Sequence, residues 1–172
     1  MNEIYETAKF WKSWGIATIP IAYGSKQPKV KWLPYTEQLP TDSELQNWYG
    51  NTQSNIAIVT GWQDLCILDF DDEEKLMTWR MWVDDEARVH HNMLPTTIYK
   101  NTRIHHTSRG YHVLVLCEGA ENMKLPKLDI LANRKYAPFM SVLGHLKLII
   151  NCTNRIKCRN LNRSIHHHII RH

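Results

Sequence analysis

Hydrophobic residues recur along this chain at two spacings, and each change of spacing marks an element. Ile4, Tyr5, Ala8, Trp11 and Trp14 follow a three-to-four period, which predicts a helix capped by Asn2 and ended by Gly15. IATIPIAY (16–23) predicts a strand, and Pro20 confines it to an edge or a kink. TDSELQNWY (41–49) opens with Thr41 and Glu44 at capping-box spacing, so a short helix follows. NIAIVTG (55–61) is a continuous apolar run, the mark of a buried strand. A tight turn at 62–64 leads into LCILDFD (65–71), expected to be its hairpin partner. DDEEKLMTWRMWVDDEA (71–87) places Leu76, Trp79 and Val83 on one helical face.

TTIYK (96–100), HVLVLCE (112–118) after a TSRG turn (107–110), and LPKLDILA (125–132) read as further strands. Beyond about residue 133 the pattern decays, with KLII (147–150) the last strand candidate. Two strands beside a helix, then a run of strands, predict an α+β fold rather than alternating βα units. The expected architecture is a mixed or antiparallel sheet with flanking helices.

The second apolar run changes the picture, because it delivers Asp69 and Asp71 at a strand end. Side chains at i and i+2 of a strand share a face, so two carboxylates would stand side by side. They repel unless something positive lies between them, and a divalent cation is the usual remedy. The alternative is a strand running into an acidic helix N-terminus, where Asp72, Glu73 and Glu74 favour the helix dipole. Ser108, Arg109 and His112 sit at a glycine turn entering a strand, a place suited to phosphate; read alone they are an ordinary turn and a structural histidine. Asp129 alone is a third candidate carboxylate or a solvated strand-edge acid. Lys26, Lys29 and Lys31 with Trp32 form a basic loop with an aromatic, suited to a template strand or a triphosphate. The alternative there is a Trp32 that packs on the core.

Composition bounds these readings. The chain has 172 residues, 43% of them hydrophobic, enough for one domain with a core. No apolar run approaches the ~18 residues of a membrane helix, and the first residues lack a signal-peptide core. A cytoplasmic protein is expected. Net charge is +4, yet no Asp or Glu follows Asp129, where eight of the 21 Lys and Arg lie. Residues 1–129 thus hold 13 basic against 17 acidic side chains. The basic surplus is confined to the C-terminal quarter, where it could meet nucleic acid. Cys66 and Cys117 fall inside apolar runs and are expected to be reduced core thiols. Cys152, Cys158 and the His166–His168 run do not have zinc-finger spacing. The pairs His90–His91 and His105–His106 are expected at the surface.

Taken in order, a helix with glycine and a strand with proline, then K-x-P-x-x-x-W (Lys26, Pro28, Trp32), NIAIVTG, LDFD, TSRGYHVLV and LDI form a constellation. That order resembles the N-terminal primase–polymerase (prim-pol) domain of bifunctional DNA primase/polymerases, in the archaeo-eukaryotic primase superfamily. The resemblance runs from about Ala8 to Asp129. It implies an RRM-like palm in residues 1–145, and the composition beyond it reads as a basic, His-rich tail over 146–172. LDFD is similar to the family's first metal motif and LDI to its third, which implies Asp69, Asp71 and Asp129 as catalytic ligands of Mg2+ or Mn2+. TSRGYH is similar to the second, which implies Ser108, Arg109 and His112 at the nucleotide's phosphates. The implied activity is nucleotidyl transfer from nucleoside triphosphates to a primer on a DNA template. After the third motif RKYAPFMSVLGH (134–145) departs from the family's Y-x-x-x-P-P-S pattern, which implies a domain incomplete or out of frame at its C-terminal end. No helicase-type phosphate loop occurs, so a helicase would be a separate partner. Two other readings use the same residues: an inactive nucleic-acid-binding remnant of a mobile-element replication protein, and a small metal-dependent nuclease.

Overall fold

A computed structural model describes residues 2–51, 53–89, 104–139 and 156–157, without the side chains of 82–89 and 156–157. The chain divides into two compact units, Met1–Leu65 with Asn133–Leu146, and Cys66–Ala132 with Lys147–His172. The fold is α+β with antiparallel sheets, as expected.

The first unit begins with α1 (Glu3–Ser13), whose cap is the expected one: the Asn2 side chain accepts from the Ile4 N–H. Gly15 follows in the left-handed conformation at φ 74°, which only glycine adopts without strain. Among the described strands β1 (Thr18–Ile21) has β2 (Asn55–Val59) as its one neighbour, with a single bridge from Ile21 to Pro28, so Pro20 sits on an edge strand. α2 (Asp42–Tyr49) carries the full capping box between Thr41 and Glu44. The last strand of the chain in this unit, Tyr136–Phe139, pairs antiparallel with β2, Val59 opposite Tyr136. Ile19, Ile21, Ala57 and Val59 form the core of this three-stranded sheet, and Trp11 meets the Phe139 ring at 5.5 Å.

The second unit holds β3 (Leu65–Phe70, which begins one residue earlier in the first), α3 (Glu73–Val89), β4 (Ile104–His106), β5 (Tyr111–Glu118), β6 (Met123–Leu125) and β7 (Leu128–Leu131). The Tyr136–Phe139 strand of the first unit is then β8. The strand order here is β4-β5-β3-β7-β6, and a two-residue β9 (Ile156–Lys157) pairs parallel with β5. Cys66, Leu68 and Phe70 of β3, Val113, Val115 and Cys117 of β5, and Leu128 and Ile130 of β7 share one face. Leu76 and Trp79 of α3 pack on that face, the Trp79 ring 5.7 Å from Phe70. Asp72 caps the helix by accepting from the Lys75 N–H.

Four expectations are corrected. β3 is not the hairpin partner of β2: the two lie in different sheets. β2 has β1 and β8 on its two sides and β3 has β5 and β7, so neither strand has an edge left for the other. The 125–132 stretch is not one strand but the tight hairpin β6–β7, turning at Pro126 and Lys127, the latter at φ 60°. Cys117 is disulfide-bonded, with a partner outside the described residues, while Cys66 stays free and buried. Burial pushes the Cys66 thiol up to about 12. His105 is buried rather than at the surface: its register sets it opposite His112, which is buried too. The expected strands at 96–100 and 147–150, His90–His91, Cys152, Cys158 and most of the tail from 146 lie outside the described residues.

Two stability predictions follow from this packing. Trp79→Ala removes the larger of the two α3 side chains described in this core and should cost about 3–5 kcal/mol in denaturant unfolding. Tyr35 donates a 2.6 Å hydrogen bond to Glu44. Burial first, then that bond, push the phenol up to about 12 from its ordinary 10.0. Because the folded value is the higher, this contribution is fully present below pH 10 and is lost as pH rises toward 12. Tyr35→Phe should therefore flatten the alkaline arm of a stability-against-pH curve in that window.

Candidate active site

Antiparallel register decides which polar side chains meet. Residues directly opposite each other in such a pair point to the same face. Asp69 of β3 stands opposite Asp129 of β7, and Asp129 in turn stands opposite Lys124 of β6. On the other side of β3, His112 Nε2 of β5 lies 3.2 Å from Asp69 Oδ1, within reach of an N–H···O hydrogen bond. His112 stands opposite His105 of β4, their rings 6.1 Å apart. One row therefore crosses all five strands: His105, His112, Asp69, Asp129, Lys124. It lies on the face opposite α3, since alternate residues of the same strands make the α3-packed core.

Asp71 is placed differently from the pair expected with Asp69. β3 ends at Phe70, and Asp71 begins the bend into α3, exposed. Its N–H donates to the Lys127 carbonyl at 3.0 Å, which ties the β6–β7 turn to the end of β3. The Lys127 ammonium reaches Asp72 at 2.9 Å, and this pairing holds the Asp72 carboxyl below its ordinary value. Sequence reasoning missed Lys127: a cation in a turn carries no signal until the turn's position is known.

The TSRG segment closes on itself. Thr107 Oγ1 accepts from the N–H of Arg109 at 3.3 Å and of Gly110 at 2.9 Å, and the Thr107 N–H donates to the Gly110 carbonyl. Ser108 and Arg109 are left exposed at the tip. Thr107 was also missed, although a Thr opening a turn is a recognised signal for this self-capping. Gly110 leans on the end of β3 so closely that a Cβ there would stand 1.9 Å from the Phe70 carbonyl oxygen. The turn and the Asp69–His112 contact are thus set by one backbone approach.

The basic loop of the first unit divides its four residues. Lys26 and Lys31 are exposed. The Lys29 ammonium donates to Ser54 Oγ at 2.9 Å and to the Gln53 carbonyl. Trp32 packs against the core with its ring 5.0 Å from that of Tyr136.

Among the described residues no three or more His, Cys, Asp or Glu side chains converge on one point to hold an ion alone. Mg2+ asks for less, commonly one or two carboxylates with water and substrate phosphates completing its shell. The opposed Asp69 and Asp129 are hard oxygen donors that fit that demand, with Asp71 at the adjoining bend.

A family model described as bifunctional DNA primase/polymerase, N-terminal, matches residues 8–143. No curated protein matches the chain. No helix of the described residues is long and apolar enough to cross a membrane.

Gly110→Ala must push the start of β5 away from the end of β3. It should cost about 2–3 kcal/mol in unfolding and shift the His112 ring signals in NMR spectra. A variant with wild-type His112 signals would show that the close approach does not set the contact.

Proposed function

The chain belongs to the bifunctional DNA primase/polymerase N-terminal family, and we propose from that premise that it joins nucleotides to a primer on a DNA template. Its function is of the DNA primase/polymerase type, and its substrates are DNA and nucleotides. The finer reading is metal-dependent nucleotidyl transfer. A primer 3′-oxygen attacks the α-phosphorus of a nucleoside triphosphate, the bond to the β-phosphate breaks, and pyrophosphate leaves.

The observation that supports this reading is the Asp69–Asp129 pair with His112 beside it. Opposed, partly exposed carboxylates form a negative spot that draws hard cations. The chemistry a bound Mg2+ or Mn2+ supplies there is neutralisation of phosphate charge and a lowered pKa for the attacking hydroxyl. Asp69 and Asp129 would hold that cation, with Asp71 at the adjoining bend as a further carboxylate beside it. His112 fixes the Asp69 carboxylate by its 3.2 Å contact, so the donor oxygen is oriented before substrate arrives. Ser108 and Arg109, presented on a self-capped turn, supply a hydroxyl and a guanidinium fork for the triphosphate.

Primer extension with labelled nucleotides tests this. Wild-type protein should extend a primer only with Mg2+ or Mn2+, and a chelator should stop it. Asp69→Ala, Asp71→Ala and Asp129→Ala should each lower the rate about a hundredfold or more, since a cation's share is worth several kcal/mol. Strand degradation without extension would replace this reading with a nuclease. Binding with neither reaction would replace it with an inactive DNA-binding protein.

A further inference from the structure

The first unit carries an aromatic ring that neither its core nor the site above uses. Tyr23 is 78% exposed, the most open large apolar side chain among the described residues. It stands at the tip of a turn that follows β1. The turn is closed by the Ser25 N–H on the Ala22 carbonyl at 3.1 Å and the Ala22 N–H on the Gln27 carbonyl at 2.9 Å. Ser25 Oγ accepts from the Gln27 N–H, and Gly24 next to Tyr23 supplies the positive φ of 69° that lets the chain reverse.

The turn is fastened at its base as well. The Lys29 N–H donates to the Pro20 carbonyl, and Tyr136 OH donates to the Lys26 carbonyl at 3.2 Å. With its ammonium on Ser54, Lys29 serves as an anchor for the loop. Lys26 and Lys31 keep their side chains exposed. No Asp or Glu occurs from Thr7 to Thr36, a stretch with five lysines. Trp32, the aromatic expected to stack on a base, packs against the core with its ring edge-on to Tyr136 at 5.0 Å.

The geometry points to a single-stranded DNA site in which an unpaired base stacks on Tyr23 while Lys26 and Lys31 meet the flanking phosphates. This is the pattern of a stacking platform on an electropositive path. A ring held out by a closed turn loses little freedom on binding, so stacking keeps most of its free energy. The exposed ammonium groups of Lys26 and Lys31 fit a polyanion. The inference deepens the polymerase reading and rests on it for the ligand being DNA.

The test is fluorescence anisotropy of a labelled oligothymidine strand with the full chain. Tyr23→Ala should weaken binding about tenfold, and Tyr23→Phe should bind as wild type. On an abasic strand of equal length, wild type and Tyr23→Ala should bind alike, a result that a merely structural role would not produce. Lys26→Ala and Lys31→Ala should each reduce the slope of log affinity against log salt by about 0.7, a slope that Tyr23→Ala leaves unchanged. Wild-type affinity in Tyr23→Ala, an equal loss on the abasic strand, or no single-strand binding by wild type would overturn the site. Failure of the catalytic reading is a separate result: protein that binds through Tyr23 yet incorporates no nucleotide leaves this site standing.

Discussion

Two carboxylates placed directly opposite each other in an antiparallel pair are a cost that the rest of the second unit is arranged around. Asp69 and Asp129 share that relation. Two unit charges at cross-strand separation repel by roughly 1 kcal/mol in water and a few kcal/mol where screening is partial. The sheet sets a proton donor on one flank, His112, and a cation on the other, Lys124. Both temper the repulsion and neither abolishes it. A bound cation would relieve what repulsion remains, which is why the proposed function sets one there. The energetic liability and the proposed chemistry are therefore the same feature.

The supports of that pair are backbone contacts more than side-chain bonds. Gly110 lets β5 meet the end of β3 at a distance no other residue allows. The Asp71 N–H on the Lys127 carbonyl pins the β6–β7 turn to the same strand end. Asp72 both caps α3 and accepts the Lys127 ammonium. Three segments far apart in sequence thus converge where β3 stops. Because each contact fixes backbone position, the site's geometry follows from the fold and needs little adjustment by long side chains.

What the sequence made legible follows from what is local. Caps at Asn2 and Thr41, the left-handed Gly15 and the buried runs of β2, β3 and β5 depend on neighbours a few residues away, and all were readable. Pairing partners were not. A buried apolar run states that a strand has two covered faces and says nothing of which strand lies beside it, so β2 and β3 were joined in error. β8 is only Tyr136–Phe139 with a proline inside it, and its strand character comes from its register on β2. The hairpin at 126–127 needs a positive φ at Lys127, which no residue type there announces. Of the site, Asp69 and His112 were visible as candidates. That Asp69 faces Asp129, with Asp71 displaced to a bend, is a fact of register and strand length that composition cannot carry.

The period of two explains how one thin sheet can be both core and site. Leu68 and Phe70 of β3 face the packed helix, and Asp69 between them faces the other way. The same division holds on β5, with Val113 inward and His112 outward, and on β7, with Leu128 and Ile130 flanking Asp129. A slip of one residue between β3 and β7 would set Phe70 or Leu68 opposite Asp129. It would also press a carboxylate into the apolar face beneath α3. Hydrophobic burial of four large side chains on one face thereby fixes the register that aligns the acids on the other. The register that closes the core is thus the register that aligns the carboxylates.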